Sequence, residues 1–352
     1  MKIALIGAGS SVGRALLSKN DNRLKGIYRS PKALSQLCDL GVYYQLVKIS
    51  STLDMMNAIS GCDTVITLIN DTNPLSALRS LKDVVEACRL ANIPQLIHLS
   101  SAAIYGSTPA RAAFVDSPGA SLTWNSYSAG KQWQENFLKE CKDLPTSVVI
   151  IRPGLIWGPG MAWLNTPANE IVRGEAWVAD GDASCNLLNI NFLIHSLYYL
   201  ASNPTSGLSF VNLRDRASLT WTDYYSRIAK LLQIENYCIA KIPRSSGHPW
   251  KGNKGTARSV FPFGLGWSVL PLFLKRIIKN FVGLLPRKRL PIEVRIEALN
   301  PKYSISREAW ELKTADGLPP SNALLEELQE SYKRSSDEDW SELNYLREWY
   351  CI

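Results

Sequence analysis

Histidine is scarce in this sequence: there are three in 352 residues, at His98, His195 and His248. No Cys-x-x-Cys pair occurs, and no cluster of His, Cys or carboxylates has metal-ligand spacing, so no metal site is expected. The seven cysteines (Cys38, Cys62, Cys88, Cys141, Cys185, Cys238 and Cys351) are scattered and odd in number. That excludes a disulfide scaffold and suits a reducing cytosol, so a cytoplasmic location is expected. Long hydrophobic runs are missing too. The longest uncharged, strongly apolar stretch, 259–274, is broken by Pro262 and Pro271 and is too short to span a bilayer. No basic leader precedes the apolar segment that begins at Ile3, and a signal peptide is not expected. No internal repeat or low-complexity tract appears. With 46% hydrophobic and 20% charged residues, global disorder is also excluded.

What charge there is sits unevenly. Residues 241–302 carry thirteen Lys/Arg against only Glu293 and Glu297, a local net of +11, while the rest of the chain nets −3. Basicity belongs to one segment, which argues against a nucleic-acid binder.

The first 155 residues alternate short Val/Ile/Leu-rich runs with longer helical patterns. Strands are predicted at Ile3–Ile6, Gly26–Tyr28, Gln45–Val47, Thr64–Ile69, Leu96–Leu99, Ser147–Ile151 and Leu208–Leu213. Helices fall near 12–19, 31–38, 53–60, 74–92 and 128–141, and another begins at a capping-box run, Thr220-Trp221-Thr222-Asp223. This pattern predicts an α/β protein with a Rossmann-type, doubly wound parallel sheet.

Directly after the first strand comes Gly7-Ala8-Gly9-Ser10-Ser11-Val12-Gly13, opening a helix. Glycines there let the backbone turn tightly and approach a pyrophosphate, and Gly13 allows close helix–strand packing. A glycine loop between a strand and a helix is a far stronger sign of dinucleotide binding than a glycine triplet alone. The second strand ends at Tyr28-Arg29-Ser30. An acid at position 29 would accept from both ribose hydroxyls; Arg29 instead suits a 2′-phosphate, aided by the Ser30 hydroxyl. NADP is therefore favoured as cofactor, with NAD the alternative.

The fifth strand leads into Ser100-Ser101-Ala102-Ala103-Ile104-Tyr105-Gly106, and Tyr127-Ser128-Ala129-Gly130-Lys131 follows within a helical segment. Y-x-x-x-K places both side chains on one helix face, one turn apart. An ammonium beside a phenol favours phenolate, so Tyr127 is the candidate proton donor and acceptor, and Ser101 can orient a substrate oxygen.

These motifs together resemble the extended short-chain dehydrogenases/reductases of the NAD-dependent epimerase/dehydratase family, over about residues 1–235. The resemblance rests on Gly7-x-x-Ser10-x-x-Gly13, Ser100-Ser101 before Tyr105-Gly106, Tyr127-x-x-x-Lys131 with Glu135, and Arg152-Pro153-Gly154…Trp157-Gly158-Pro159-Gly160. It implies that Tyr127 is the catalytic acid/base, that Lys131 holds the nicotinamide ribose, that Ser101 completes the triad, and that Pro153 joins the cofactor contacts. Departures narrow the chemistry. Ser10 replaces the middle loop glycine, and Ala102-Ala103 stand where sugar 4,6-dehydratases of this type carry Asp-Glu, so dehydration is not expected.

The same resemblance divides the chain into a dinucleotide domain (1–155 with about 181–235), a smaller, mostly helical substrate lobe (about 156–180 with 236–330) and a tail or helix, 331–352. Within the lobe, Trp267, Leu270, Leu274, Ile277, Ile278, Phe281 and Leu284 alternate with Lys275, Arg276 and Lys279, an amphipathic pattern over 266–285. It reads either as a packed lobe helix or as a peripheral membrane contact. The leading function is hydride transfer at a hydroxyl/keto carbon of a nucleotide-activated sugar; the alternatives are a reductase of a lipophilic ketone and a non-catalytic cofactor sensor. A homodimer is expected, paired through apolar residues of the helices at 74–92 and 128–141: Leu75, Leu78, Leu81, Val85, Trp133 and Phe137.

Overall fold

The computed structural model describes residues 1–30, 33, 35, 37, 47–71, 73–105, 126–142, 144–179, 183–242, 313, 322–333, 339, 340 and 343. The amphipathic stretch 266–285 and the rest of the basic segment beyond Ile242 lie outside them, as do Gly106 and the residues up to 125.

The strands are β1 (Ile3–Ile6), β2 (Leu24–Tyr28), β3 (Val47–Lys48), β4 (Thr64–Thr67), β5 (Gln95–Leu99), β6 (Ser147–Pro153), β7 (Leu155–Trp157), β8 (Trp177–Ala179), β9 (Ser184–Cys185), β10 (Leu187–Asn189), β11 (Gly207–Leu213), β12 (Leu219–Thr220) and β13 (Ala240–Ile242). The helices are α1 (Ser11–Leu17), α2 (Thr52–Ile59), α3 (Pro74–Leu90), α4 (Ser126–Glu140), α5 (Ala162–Val172), α6 (Ile190–Ser202), α7 (Trp221–Leu231) and α8 (Ala323–Ser331).

Seven strands form one sheet in the order β11-β6-β5-β4-β1-β2-β3, every pair parallel. Sequence reasoning predicted this doubly wound sheet, with element ends one or two residues away. Its strands read as continuous apolar runs because both faces are covered. On one face, Leu5, Ile97, Val149 and Val211 pack with Leu16, Leu193, Leu197 and Leu328 from α1, α6 and α8. On the other, Ala4, Val65, Leu96 and Ile150 pack with Met55, Val84 and Leu138 from α2, α3 and α4. The order reverses between β1 and β4, which opens a crevice at their carboxyl ends.

Helix starts follow the local sequence. Ser10, Ser51, Asn73, Asn189, Thr220 and Asn322 each cap a helix through the side chain. Thr220 and Asp223 form the predicted capping box, and Ser51 with Asp54 forms a second.

A third core lies beyond β6. Trp157, Leu164, Ile171, Val178, Cys185 and Leu187 pack there with Trp221, Tyr224, Tyr225 and Ile228 of α7. Residues 183–232 are thus shared: β11 is the edge strand of the large sheet and α6 packs on it, while β9 and α7 belong with the third core and β10 faces both. Three short strand pairs, β7–β10, β9–β12 and β8–β13, stitch this part together. Trp340 and Leu343 also pack into it, as a buried apolar contact from near the chain's end. Among the described residues, no helix is long and apolar enough to cross a membrane.

Candidate functional site

The glycine loop stands at the switch point. Gly7 has φ +89°, a left-handed conformation that favours glycine, and a β-carbon there would lie 3.1 Å from the Leu68 carbonyl oxygen of the neighbouring crossover. A β-carbon on Gly13 would stand 2.5 Å from the Ala8 oxygen, so only glycine lets α1 begin this close to the loop. Ser10, in place of a glycine, has a role of its own: as N-cap its Oγ accepts from the Gly13 N–H at 3.0 Å. The next amides, of Ser11 and Val12, have no acceptor within the helix, as for any first turn. Gly9 packs against residue 33, where an added β-carbon would meet Ala33 Cβ at 2.6 Å.

Arg29 and Ser30 follow the carboxyl end of β2, both exposed. Arg29 Nη2 donates to Ser80 Oγ on α3 at 2.9 Å, and Ser30 Oγ accepts from the Ala33 N–H at 3.2 Å. Arg29 is thus held at the rim of the crevice by a neutral hydroxyl.

At the other side of the crevice, α4 brings Tyr127 and Lys131 to the ends of β4 and β5. Lys131 is only 4% exposed, and its Nζ donates to the Ile69 oxygen at 2.7 Å and the Leu99 oxygen at 2.6 Å. It lies 5.9 Å from the centre of the Tyr127 ring. Ser101 follows β5 and hydrogen-bonds the Tyr127 phenol, and its Oγ also accepts from the Ala103 N–H at 3.1 Å. Ser101, Tyr127 and Lys131 therefore come together, from a strand end and one helix face.

Their electrostatics differ from the sequence expectation. Burial pushes the Tyr127 phenol above its ordinary value, and the Ser101 hydrogen bond only opposes this. Burial also pulls the Lys131 ammonium down to about 7, with Glu135 acting against it. Burial thus raises the phenol and lowers the ammonium, the opposite direction to the phenolate expected from the neighbouring charge.

A buried polar network beneath this triad was not legible in the sequence beyond the bare motif residues. Glu135 Oε1 accepts from Ser100 Oγ at 2.5 Å and from Arg152 Nε at 3.0 Å, and Arg152 Nη2 reaches Glu135 Oε2 at 2.6 Å. Arg152 Nη1 donates to the Tyr105 hydroxyl at 2.6 Å, which donates to Asn212 Oδ1 at 2.9 Å. Four elements (α4, β6, the turn after β5 and β11) are tied at one point. Pro153, next to Arg152, is buried at the carboxyl end of β6.

His98 lies wholly inside the sheet core, and neither ring nitrogen has a partner among the described residues. Burial, followed by the nearby Lys131 charge, holds it well below its ordinary pKa and so neutral. Asp215, unremarked in the sequence, accepts from the Asn189 N–H and from Trp157 Nε1, both at 2.8 Å; burial raises it to about 6. The described cysteines Cys62, Cys88, Cys141, Cys185 and Cys238 are free thiols.

Comparison with known proteins agrees with this geometry. A family described as NAD(P)H-binding matches residues 7–158. No curated protein matches the sequence. Among solved structures, a UDP-N-acetylglucosamine 4-epimerase from Methanobrevibacter ruminantium M1, in complex with UDP-N-acetylmuramic acid, superposes with a TM-score of 0.64 at 16% identity, covering 99% of this chain and 98% of its own. A UDP-glucuronic acid 4-epimerase from Bacillus cereus, in complex with UDP-glucuronic acid and NAD, gives a TM-score of 0.56 at 17% identity over 69% of this chain and 86% of its own. A UDP-N-acetylglucosamine 4-epimerase from Bacillus cereus gives 0.56 at 16% identity over 69% and 85%. Residues 7–158 thus match an NAD(P)H-binding family, and the chain shares its fold with these UDP-sugar 4-epimerases.

Proposed function

We propose that the protein is an NAD(P)-dependent oxidoreductase or epimerase acting on a hydroxyl/keto carbon of a nucleotide-activated sugar. The observation that carries the proposal is the meeting of Ser101, Tyr127 and Lys131 at the carboxyl edge of the sheet, across the crevice from the glycine loop. The likeness to UDP-sugar epimerases supports the substrate class.

The residues fit a dinucleotide. The positive φ of Gly7 and the crowding at Gly13 shape a loop that leaves the amides of Ser11 and Val12 for a pyrophosphate. Arg29 and Ser30, after the carboxyl end of β2, would receive the adenine-side ribose or its 2′-phosphate, and a guanidinium rather than a carboxylate favours NADP. Lys131 and Pro153 would flank the nicotinamide end. A bound dinucleotide supplies reversible hydride transfer to the substrate carbon.

The chain's own residues handle the proton. Ser101 Oγ orients the substrate oxygen, and Tyr127 Oη gives that oxygen a proton on reduction or takes it on oxidation. Burial raises the phenol above its ordinary value and so favours its protonated, donor form. Lys131, whose Nζ stands 5.9 Å from the centre of the Tyr127 ring, would hold the ribose of the nicotinamide beside the phenol. Ala102 and Ala103 have no group that can donate or accept a proton, so dehydration is outside this mechanism. Pairing through α3 and α4 makes the working form a homodimer.

Mass spectrometry of small molecules released from the purified protein, followed by assay on a panel of UDP-sugars, tests the proposal. Tyr127→Phe is expected to abolish turnover while leaving cofactor binding nearly intact. Near wild-type turnover in that variant would end the proton-relay reading.

A further inference from the structure

Three consecutive residues at the end of β5 hold three residues of α4. The Leu99 oxygen accepts from Lys131 Nζ at 2.6 Å, Ser100 Oγ donates to Glu135 Oε1 at 2.5 Å, and Ser101 hydrogen-bonds the Tyr127 phenol. Tyr127, Lys131 and Glu135 follow one another at intervals of four, so all three lie along one side of the helix. Strand end and helix are thus joined at three successive turns.

The proposed proton transfer uses Ser101, Tyr127 and Lys131 and leaves Ser100 and Glu135 without a part. Both are only 2% exposed, so neither is open to a substrate. Ser100 is fixed from two sides. Its N–H donates to the Ile151 oxygen of β6 at 2.7 Å, and its hydroxyl goes to a carboxylate that Arg152 of β6 holds in turn at 2.6 Å. A hydroxyl on a carboxylate makes a charge-assisted bond, roughly twice as strong as a neutral one. Ser101 is the next residue, joined to Ser100 by a rigid, planar peptide. Its Oγ accepts from the Ala103 N–H at 3.1 Å, which leaves its own hydrogen for the phenol. Where Ser100 is held therefore decides how Ser101 faces Tyr127.

We propose that Ser100 is a positioning residue of the proton transfer: its bond to Glu135 fixes the peptide from which Ser101 meets Tyr127. Its part in catalysis rests on the hydride-transfer reading, whereas the positioning itself is measurable without a substrate. If Ser100 served only to satisfy Glu135, its loss would lower stability and leave the Tyr127 phenol as it is.

The test uses the full chain labelled with carbon-13 at tyrosine Cζ, with the Tyr127 resonance identified by its loss in Tyr127→Phe. At pH 8, Ser101→Ala should shift that resonance, because the phenol loses a hydrogen bond. Ser100→Ala should shift it in the same direction, and Ser100→Thr, which keeps the hydroxyl, should leave it near its wild-type position. An unmoved Tyr127 resonance in folded Ser100→Ala overturns the proposal. Should that variant fold poorly, Ser100→Cys, close in size and a weaker donor, is judged by the same criterion. On any UDP-sugar that the wild type turns over, Ser100→Ala should lower kcat by about ten- to a hundredfold with KM and NADPH affinity unchanged. Ser100→Thr should restore it. A loss confined to KM, or a Thr variant no better than Ala, also overturns the proposal. A wild type that turns over no UDP-sugar overturns the functional reading instead, and the Cζ comparison then decides the positioning by itself.

Discussion

Glu135 and Arg152 form a fully buried ion pair, 2.6 Å between Oε2 and Nη2, that joins the helix carrying Tyr127 and Lys131 to the strand ending in Pro153. Two charges inside a core are stable only when each is hydrogen-bonded on all sides, and here Ser100, Tyr105 and the pair itself supply those bonds. The pair is placed to fix α4 against the sheet, and so to hold Tyr127 and Lys131 in register with Ser101.

Removing one partner should therefore be severe. Glu135→Ala leaves the Arg152 guanidinium uncompensated in the core, at an expected cost of about 3–5 kcal/mol in denaturant unfolding. Glu135→Gln with Arg152→Met removes both charges and should be milder than Glu135→Ala alone. A single-variant loss below about 1 kcal/mol, the range of exposed pairs, would mean that the pair is solvated.

The proposed preference for NADP rests on Arg29. Its guanidinium is held at the crevice rim by Ser80 rather than by a carboxylate, so its charge remains available to a 2′-phosphate. Fluorescence titration is expected to show NADPH bound about ten- to a hundredfold more tightly than NADH, the range for one or two charge-assisted bonds. Arg29→Asp should reverse the order. Equal affinities in the wild type would remove the NADP preference and leave NAD, the dinucleotide seen with UDP-glucuronic acid 4-epimerase.

Much of this was readable from residues alone, for a physical reason. The sheet and its crossovers repeat short apolar runs between helical patterns, a signal that needs no long-range information. Gly7, Gly13, Tyr127 and Lys131 lie in compact motifs whose spacing is itself the geometry. Asp215 and Trp157, by contrast, are 58 residues apart and meet only because β7 and the loop after β11 converge. The same holds for Lys313, whose Nζ donates to the Tyr225 hydroxyl at 2.6 Å and lies 3.9 Å from the centre of the Trp177 ring. No local pattern encodes such pairs. The strand pairs β7–β10, β8–β13 and β9–β12 are two or three residues long, too short for any periodicity to appear. The electrostatic direction at Tyr127 was misjudged because sequence shows the neighbouring charge but not the burial that outweighs it.

Burial of Lys131 makes stability depend on pH in a calculable direction. Its native value near 7 lies below the ordinary 10.5, so between these limits the unfolded chain binds more protons than the native one. Stability attributable to this residue should rise with pH across that window, by up to about 1.4 kcal/mol per unit, and be flat on either side. The comparison is with Lys131→Met, which leaves the Ile69 and Leu99 carbonyls unpaired at every pH and so shifts the curve by a constant. The wild-type curve should climb relative to that variant from pH 7 to 10. Parallel curves would show that the ammonium keeps its ordinary pKa.

The remaining prediction concerns assembly. Of six residues expected at a dimer interface, Leu81 and Val85 are already core, at 0% and 4% exposure, and contribute nothing to a partner. Leu75, Leu78, Trp133 and Phe137 are only half-buried, and Leu90 at the end of α3 is 45% exposed. Phe137 rests on the core with Lys82 5.4 Å from its ring centre, which leaves Leu75, Leu78, Leu90 and Trp133 as apolar surface of this helix pair. Burying the part of such side chains that is still exposed stabilises by a fraction of the roughly 1.5–3 kcal/mol that full burial gives each, a gain doubled when the two-fold axis repeats the patch. Light scattering at micromolar concentration should give about twice the chain mass of 39.2 kDa. Trp133→Glu, at a half-buried position outside the triad and its supporting network, should shift the protein to monomer with its helical content kept. A wild-type monomer under those conditions would show that α3 and α4 carry no dimer interface.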